Sequence, residues 1–457
     1  MRGRRLRGGR LMLTVAAGGA LAVGAVPMGS WVTGALATTG NPPGRAGAVA
    51  GSPFAPGTGQ LVVDWNKTLI SVLGIPGAQP ATVQPTRSFA ILQAAEYDAV
   101  ASVTRAPGSR GSGHAGAAVF TVQASGRSSA AAAADQAAHD VLTGLYPGQA
   151  SVADGQLATQ LAAIPDGRAR DLGITVGHAV AARLLAQRAG DGSAAIPGPF
   201  VPGSEPGDYQ LTPPNFPAPA FTNWGSITPF VLQRGSQFRP GPPPPVTSAA
   251  YAQALAVTAS LGQDTSTTRT ASQTSIGRFW GAAPVWNVWN EVAQDQATAR
   301  RLSLVRASAL FATLDLALGD TSIGLYDAKY HYQVWRPVTA IRAGVPGLTA
   351  NPGWLPLTST SGDPSYPSGH SSFSFAAATV LSAFFGNEQP VTVRSDALPG
   401  QDRDFKGFIA AATEAALSRI YAGQHTPVDD HAGRVLGASI AGFVLDRLAQ
   451  PRPARHS

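Results

Sequence analysis

Three short blocks in the second half of the chain carry side chains whose types and spacing could hold an anion and act on it. The first, DAKYHYQVWRPV, sets Lys329 and Arg336 seven residues apart. Seven steps of about 100° return to within about 20° of the same helix face, so both cations are expected to project from one side. Pro337 then ends or kinks that helix. Tyr330, Tyr332 and Trp335 surround the pair, a setting in which unpaired cations are costly; an ordinary solvated basic pair is the competing reading. The second block, PSYPSGHSSFSFA, places Ser368 and Gly369 directly before a run of helix formers. Backbone N–H groups at a helix N-terminus favour anions. Gly369 lets an anion approach the main chain, the Ser368 hydroxyl can add a hydrogen bond, and His370 offers a proton donor beside it. Taken alone, Ser368 is an ordinary N-cap. The third block, SRIYAGQHTPVDDHAGR, has Arg419 near the end of a helix and Gly423 as a turn. His425 follows in a loop before a helix opened by Asp429 or Asp430. A histidine with a carboxylate four residues on has an orienter for its other ring nitrogen, as a nucleophile or a metal ligand requires. A satisfied surface or core histidine is the alternative.

The elements that must position these blocks are helical. Long Ala-rich stretches dominate and few runs alternate with period two, so the class is all-α. Helices are expected over 88–102, 128–146, 155–164 and 172–190, then over 249–262, 266–282, 284–336, 371–386, 403–421 and 430–448, the third of this second set broken near Gly319. Between the two sets, 193–246 is rich in Pro and Gly and ends in RPGPPPPV, stiff extended chain that cannot continue a helix. Its Trp224, Phe230 and Phe238 favour a wrap packed on the helices over a flexible tether. The organisation expected is an N-terminal helical lobe with this wrap over 60–248, and a C-terminal bundle carrying the anion site over 249–448.

Composition narrows the function classes. A chain of 457 residues with 44% hydrophobic content can bury a substantial core. The basic MRGRRLRGGR, an apolar run from Leu11 to Val26 and the small-residue patterns at Ala35–Ala37 and Ala48–Ala50 read as an export signal over 1–37, or as far as 50. A lead-in over 38–59 and a tail over 449–457 complete the chain. The apolar run falls short of the roughly 20 residues a bilayer span needs, so the mature protein is expected to be secreted, without stable membrane insertion. The net charge of +7 owes much to Arg2, Arg4, Arg5, Arg7 and Arg10 in that signal. With no basic run interleaved with aromatics, nucleic acid is not an expected partner. There is no Cys, and Met1, Met12 and Met28 all lie in the export region, so the mature chain would carry no readily oxidised sulfur. That suits a protein handling a strong oxidant, although a coding bias toward Ala, Gly and Arg would have the same effect. Only Lys67, Lys329 and Lys406 break the preference for Arg, which raises the question of what a compact ammonium does there that a guanidinium cannot.

Taken together, Lys-x6-Arg-Pro, Pro-Ser-Gly-His and Ser-Arg-x5-His-x3-Asp resemble the signature of the superfamily joining vanadium-dependent haloperoxidases, type-2 phosphatidic acid phosphatases and bacterial acid phosphatases. Segments such as LYPGQAS, LTPPNF, TRTASQTSIGRFW and YDAKYHYQVWRPVTAIR resemble its secreted bacterial haloperoxidase-related branch over roughly 60–448. The resemblance implies paired helix bundles, with vanadate as cofactor and phosphate able to occupy the same site. It implies that Lys329, Arg336, Ser368, the Gly369 backbone and Arg419 hold the oxyanion's oxygens and that His370 is the acid/base. His425 would be the ligand to vanadium or, in a phosphatase, the nucleophile. Asp429 would orient His425, with Asp430 as the fallback. A point-like ammonium at Lys329 can polarise one bound peroxide oxygen, which a broad guanidinium does less well. The partners implied are hydrogen peroxide and a halide, oxidised to hypohalous acid, or else a phosphomonoester hydrolysed through a phospho-histidine; a homodimer is the assembly considered. A non-enzymatic anion-binding protein is the remaining reading. Two positions depart from the haloperoxidase pattern: Asp363 stands where an aromatic or a histidine lies near the halide, and Tyr326 stands where a Trp is familiar. An acid at the first would repel an anion.

Overall fold

In the computed structural model, which describes residues 59–104, 120–282, 284–395, 398 and 400–449, two long helices organise the rest. The expected export signal and most of the lead-in and tail lie outside the described residues. The first organiser, α2 (Pro85–Thr104), follows α1 (Gln60–Leu73), and every residue from Thr86 to Val103 is buried. Even Arg87, Gln93, Glu96 and Asp98 are covered, so this helix lies inside a core rather than along its edge. It lies against α3 (Ala130–Leu145), α5 (Arg168–Ala189) and α9 (Leu304–Tyr332), with α4 (Ala150–Ala162) beside α3. The second organiser is α9, whose 29 residues span about 44 Å at 1.5 Å per residue. Against it pack α11 (Gly369–Phe385) and α13 (Pro427–Ala449). The elements α6 (Ala249–Gly262), α7 (Ala271–Ala282), α8 (Val285–Ala299), α10 (Pro337–Ala343) and α12 (Phe408–Tyr421) complete the helices, and the described residues fall in one compact unit. The all-α reading holds; the exception among the described residues is a hairpin of β1 (Val391–Val393) and β2 (Arg403–Phe405), with Val391 opposite Phe405.

Small residues set how closely the site-bearing helices approach. A Cβ on Gly437 of α13 would lie 1.9 Å from the carbonyl oxygen of Ser372 in α11, so that crossing admits only glycine. The Pro/Gly-rich segment is fixed to α9 by polar contacts. Trp224 is fully buried and its Nε1–H donates to Ser322 Oγ at 2.9 Å. The buried Asp320 carboxylate accepts the backbone N–H groups of Phe230, Val231 and Leu232 at 2.7–2.8 Å. Arg239 forms a two-pronged pair with Asp327 at 2.7 and 2.9 Å, and the Phe238 ring meets Phe443 edge-on.

Several expectations need correction. The stretch 284–336 does not break near Gly319: α8 stops at Ala299 and α9 starts after the Ser303 cap, whose hydroxyl accepts the Arg306 N–H. The turn between them uses Arg301 at φ 48°. Gly319 stays helical because its missing side chain makes room for α2; a Cβ there would lie 3.1 Å from Ala90 Cβ. At the other end α9 finishes at Tyr332, where Gln333 adopts a left-handed conformation (φ 47°). Arg336 is therefore not on Lys329's helix but caps α10, with Pro337 in its first turn. The expected helix 403–421 begins only at Phe408, because Arg403–Phe405 pairs as a strand. The helix α13 begins at Pro427, so Asp429 and Asp430 lie in its first turn rather than opening it. Helices α1 and α10 were not expected from the pattern.

Candidate active site

The cations of the first block converge because the chain breaks between them. After Gln333, Trp335 N–H donates to Gly207 O at 2.9 Å, and the turned chain delivers Arg336, 1% exposed, to the same place as Lys329 at the end of α9, 2% exposed. Lys67 and Lys406 are exposed, so Lys329 is the buried lysine among the three. The second block begins α11: Ser368 is its N-cap and Gly369 and His370 form its first turn, where amides have no intrahelical acceptor. The third block brings Arg419 from the end of α12. Gly423, at φ 76° and with a would-be Cβ 2.6 Å from Gly262 O, then turns the chain to present His425.

Lys329, Arg336, Asp363, Gly369, His370, Arg419 and His425 line a cavity of about 260 Å³. Phe221, Val285, Trp286, Leu325 and Phe373 form its apolar wall. Ser368 does not line it. The Ser368 N–H donates to Asp429 O at 2.9 Å, and its buried hydroxyl oxygen accepts from Ser371 Oγ at 2.9 Å, so in this conformation the side chain serves as a cap.

The two imidazoles are both neutral, and their partners fix their tautomers. His370 Nε2 lies 2.8 Å from the carbonyl oxygen of Trp280. A carbonyl can only accept, so Nε2 carries the proton and Nδ1 is the basic nitrogen. Burial, with Arg419 nearby, holds its pKa well below the usual imidazole range, although its edge faces the cavity. His425 Nε2 lies 3.2 Å from Arg336 Nη1, a donor only, so Nε2 presents its lone pair. The proton is then on Nδ1, 3.5 Å from Asp429 Oδ2. Burial and then Arg336 push this pKa well down too. Asp429 is held by the Ser365 hydroxyl and the Thr426 N–H, each at 2.8 Å. Asp430, the fallback orienter, instead accepts from Ser371 Oγ and Arg434.

The cations differ in how they are satisfied. Arg336 donates through Nε to Asp363 O at 2.7 Å, through Nη2 to Asp363 Oδ1 at 2.5 Å and through Nη1 to Gln424 O at 3.1 Å. Lys329 Nζ meets Asp363 Oδ2 at 2.9 Å and also donates to Pro364 O and, at 3.4 Å, Ser365 O. Burial lowers the Lys329 pKa to about 8 against the opposing pull of Asp363. Burial opposes ionisation of Asp363 in turn, but Lys329 and Arg336 outweigh it and hold that carboxyl at about 2. Arg419, 6% exposed, has no partner for its Nε or Nη1; burial, then Arg336, lowers its pKa to about 10. A buried guanidinium with idle donors at a cavity is an incomplete anion site.

This donor set fits a tetrahedral oxyanion. It brings three cations, helix-start amides and the His425 ring, whose Nε2 accepts from Arg336 Nη1, to one cavity. Three participants escaped the sequence reading. Ser365 steadies Asp429 from inside the quoted PSYPSGH, where its position could have flagged it; Trp280 O and Gln424 O act through the backbone and leave no sequence signal. Asp363 was singled out for its charge, but its pairing with both cations was not foreseen.

Residues 309–452 match the family model of the VCPO second helical-bundle domain. Among solved structures the chain is similar to a bacterial vanadium-dependent iodoperoxidase at 24% identity and TM-score 0.73, covering 88% of this chain and 100% of that one. It is also similar to the holo-type structure of a bacterial vanadium-dependent chloroperoxidase at 15% identity and TM-score 0.62, covering 87% and 100% respectively. No curated protein sequence matches the chain significantly. The chain therefore has the fold of these vanadium-dependent haloperoxidases, and its residues 309–452 are similar to the VCPO second helical-bundle domain.

Proposed function

We propose that this protein is a vanadate-dependent haloperoxidase that uses hydrogen peroxide to oxidise a halide to hypohalous acid, exported from the cell after loss of its N-terminal signal. The observation that carries this is the convergence of Lys329, Arg336, Arg419, the start of α11 and the His425 ring on one cavity, on a fold shared with vanadium-dependent iodo- and chloroperoxidases. Bound vanadate would supply a Lewis-acidic centre at which peroxide is activated. The protein's contribution follows from its own geometry. His425 would hold the group through Nε2, which here meets Arg336 Nη1, while Asp429, braced by Ser365 and Thr426, faces its Nδ1. Arg336 and Arg419 neutralise negative charge in a site where burial strengthens electrostatics. The Lys329 ammonium can polarise an oxygen beside it. His370, neutral with its Nε2–H held by Trp280 O, can take up and give back a proton at Nδ1. The apolar wall of Phe221, Trp286 and Phe373 limits water.

A phosphomonoesterase is the second reading, favoured by one observation. Asp363 puts a carboxylate, kept ionised by Lys329 and Arg336, on the lining of the cavity, where it would disfavour a halide. There, His425 Nε2 would attack phosphorus, the ester oxygen would leave with a proton from His370, whose protonated form the bound phosphate's negative charge would favour, and water would then cleave the phospho-histidine. A paired assay separates the two. The haloperoxidase reading expects vanadate-loaded protein to brominate a dye acceptor with peroxide, and Lys329→Ala and His425→Ala each to lose at least a hundredfold in rate. Turnover of p-nitrophenyl phosphate with vanadate acting only as an inhibitor would establish the second reading instead.

A further inference from the structure

We propose that Asp363 is a built-in competitor anion: its carboxylate occupies the oxyanion's place on Lys329 and Arg336 when the site is empty, and must leave for the oxyanion to be held. The inference rests on the reading of this site as an oxyanion cradle. Its first support is the geometry of the bridge. One carboxylate oxygen takes Lys329 at 2.9 Å and the other takes Arg336 at 2.5 Å, as two oxygens of a tetrahedral anion would.

The second support is donor counting. An ammonium has three N–H groups, and those of Lys329 face three acceptors: Asp363 Oδ2, Pro364 O and Ser365 O. No donor is spare, so Lys329 can serve an oxyanion only if one acceptor withdraws. Two of the three are main-chain carbonyls in a pinned loop. Gly362 O accepts from Ala220 N–H at 2.8 Å, Asp363 O from Arg336 Nε at 2.7 Å, and Ser365 N–H donates to Val334 O at 2.8 Å. Only the Asp363 side chain can move away by rotating about its own bonds, and it borders the open cavity.

The third support is the asymmetry among the cations. Asp363 saturates Lys329 and engages Arg336, whereas Arg419 keeps Nε and Nη1 idle. An arriving oxyanion would therefore meet Arg419 first, and its negative charge would then repel the carboxylate from the other two cations. Loading becomes an exchange of one anion for another rather than the filling of a vacant cationic pocket. This chain's affinity for an oxyanion is accordingly lower than three buried cations would otherwise give.

The test is equilibrium binding of orthovanadate, and separately of inorganic phosphate, to the full chain by titration calorimetry at fixed pH and ionic strength. Asp363→Asn keeps the shape and removes the charge, and is expected to tighten both ligands at least tenfold. Without ligand the variant should melt below wild type, because its cations lose their counter-ion, and saturating phosphate should restore it. Equal or weaker binding by Asp363→Asn overturns the proposal while leaving the cradle intact. No binding of either anion by wild type or variant overturns both. Tighter binding without halide oxidation supports the competitor role and removes the haloperoxidase reading. Independently of any variant, a crystal structure of wild type with phosphate in the cavity is expected to show Asp363 off Lys329; phosphate bound there with both ion pairs intact refutes the exchange.

Discussion

Replacing Asp135 and Asp315 together by Asn should make the protein's stability much less sensitive to pH. Both side chains are fully buried, on α3 and α9, and each is only half satisfied. Trp65 Nε1–H donates to one Asp135 oxygen at 3.0 Å and Asn290 Nδ2–H to one Asp315 oxygen at 2.9 Å, while the second oxygen of each has no partner. The equally buried Glu96, on α2, has no partner for either oxygen and is in electrostatic reach of both. Burial raises Asp135 and Asp315 from 3.8 to about 8. Between about pH 4 and pH 8 the unfolded chain has therefore released protons that the folded chain retains. Stability must fall as pH rises through that window. Each retained proton contributes a slope of at most about 1.4 kcal/mol per pH unit. Between pH 5 and pH 7 two such carboxyls should cost on the order of 2–5 kcal/mol, a sizeable part of the 5–15 kcal/mol typical of a folded domain. Asn mimics the protonated acid and still accepts from Trp65 or Asn290, so the double variant should lose that slope. Urea denaturation of both proteins at pH 5, 6 and 7, followed by tryptophan fluorescence, measures it. Titrations common to the two cancel in the difference. Parallel pH profiles would refute the claim that these acids are held neutral in the core.

Other consequences follow from single contacts. Arg419→Met should weaken phosphate binding at least tenfold in calorimetry, yet leave the empty protein as stable or more stable in a melt, since a buried cation with two idle donors is a net cost. Asp320→Ala strands the N–H groups of Phe230, Val231 and Leu232 and should cost about 3–5 kcal/mol by urea titration, with proteolysis beginning in the segment 193–246. Gly423→Ala demands φ 76° of a residue with a Cβ that would lie 2.6 Å from Gly262 O. It should lower stability by about 1–3 kcal/mol and, on the haloperoxidase function proposed above, reduce halide oxidation, by shifting His425, further than the stability loss explains.

The sequence by itself determined the local pieces. Alanine-rich helical periodicity settled an all-α chain, and Ser368 caps α11 where the pattern put it. Because residue type and spacing are written in the chain, the three blocks name Lys329, Arg336, Gly369, His370, Arg419 and His425, which line the cavity, while Ser368 and Asp429 do not. The tertiary structure decided how they meet. Lys329 and Arg336 come together through a left-handed Gln333 and a new helix start rather than on one helical face. Gly319 marks where α2 packs on α9, while the helix break falls at Arg301. Asp363 changed most: in the sequence it is a charge near the site, and in the fold it is the partner of two cations. The physical reason is common to these cases. Helix periodicity, caps and turns arise among neighbours in the chain, whereas whether a buried charge or carboxyl finds a partner depends on residues brought near only by packing. The same sequence can therefore announce an anion cradle without revealing that one of its own carboxylates already lies in it.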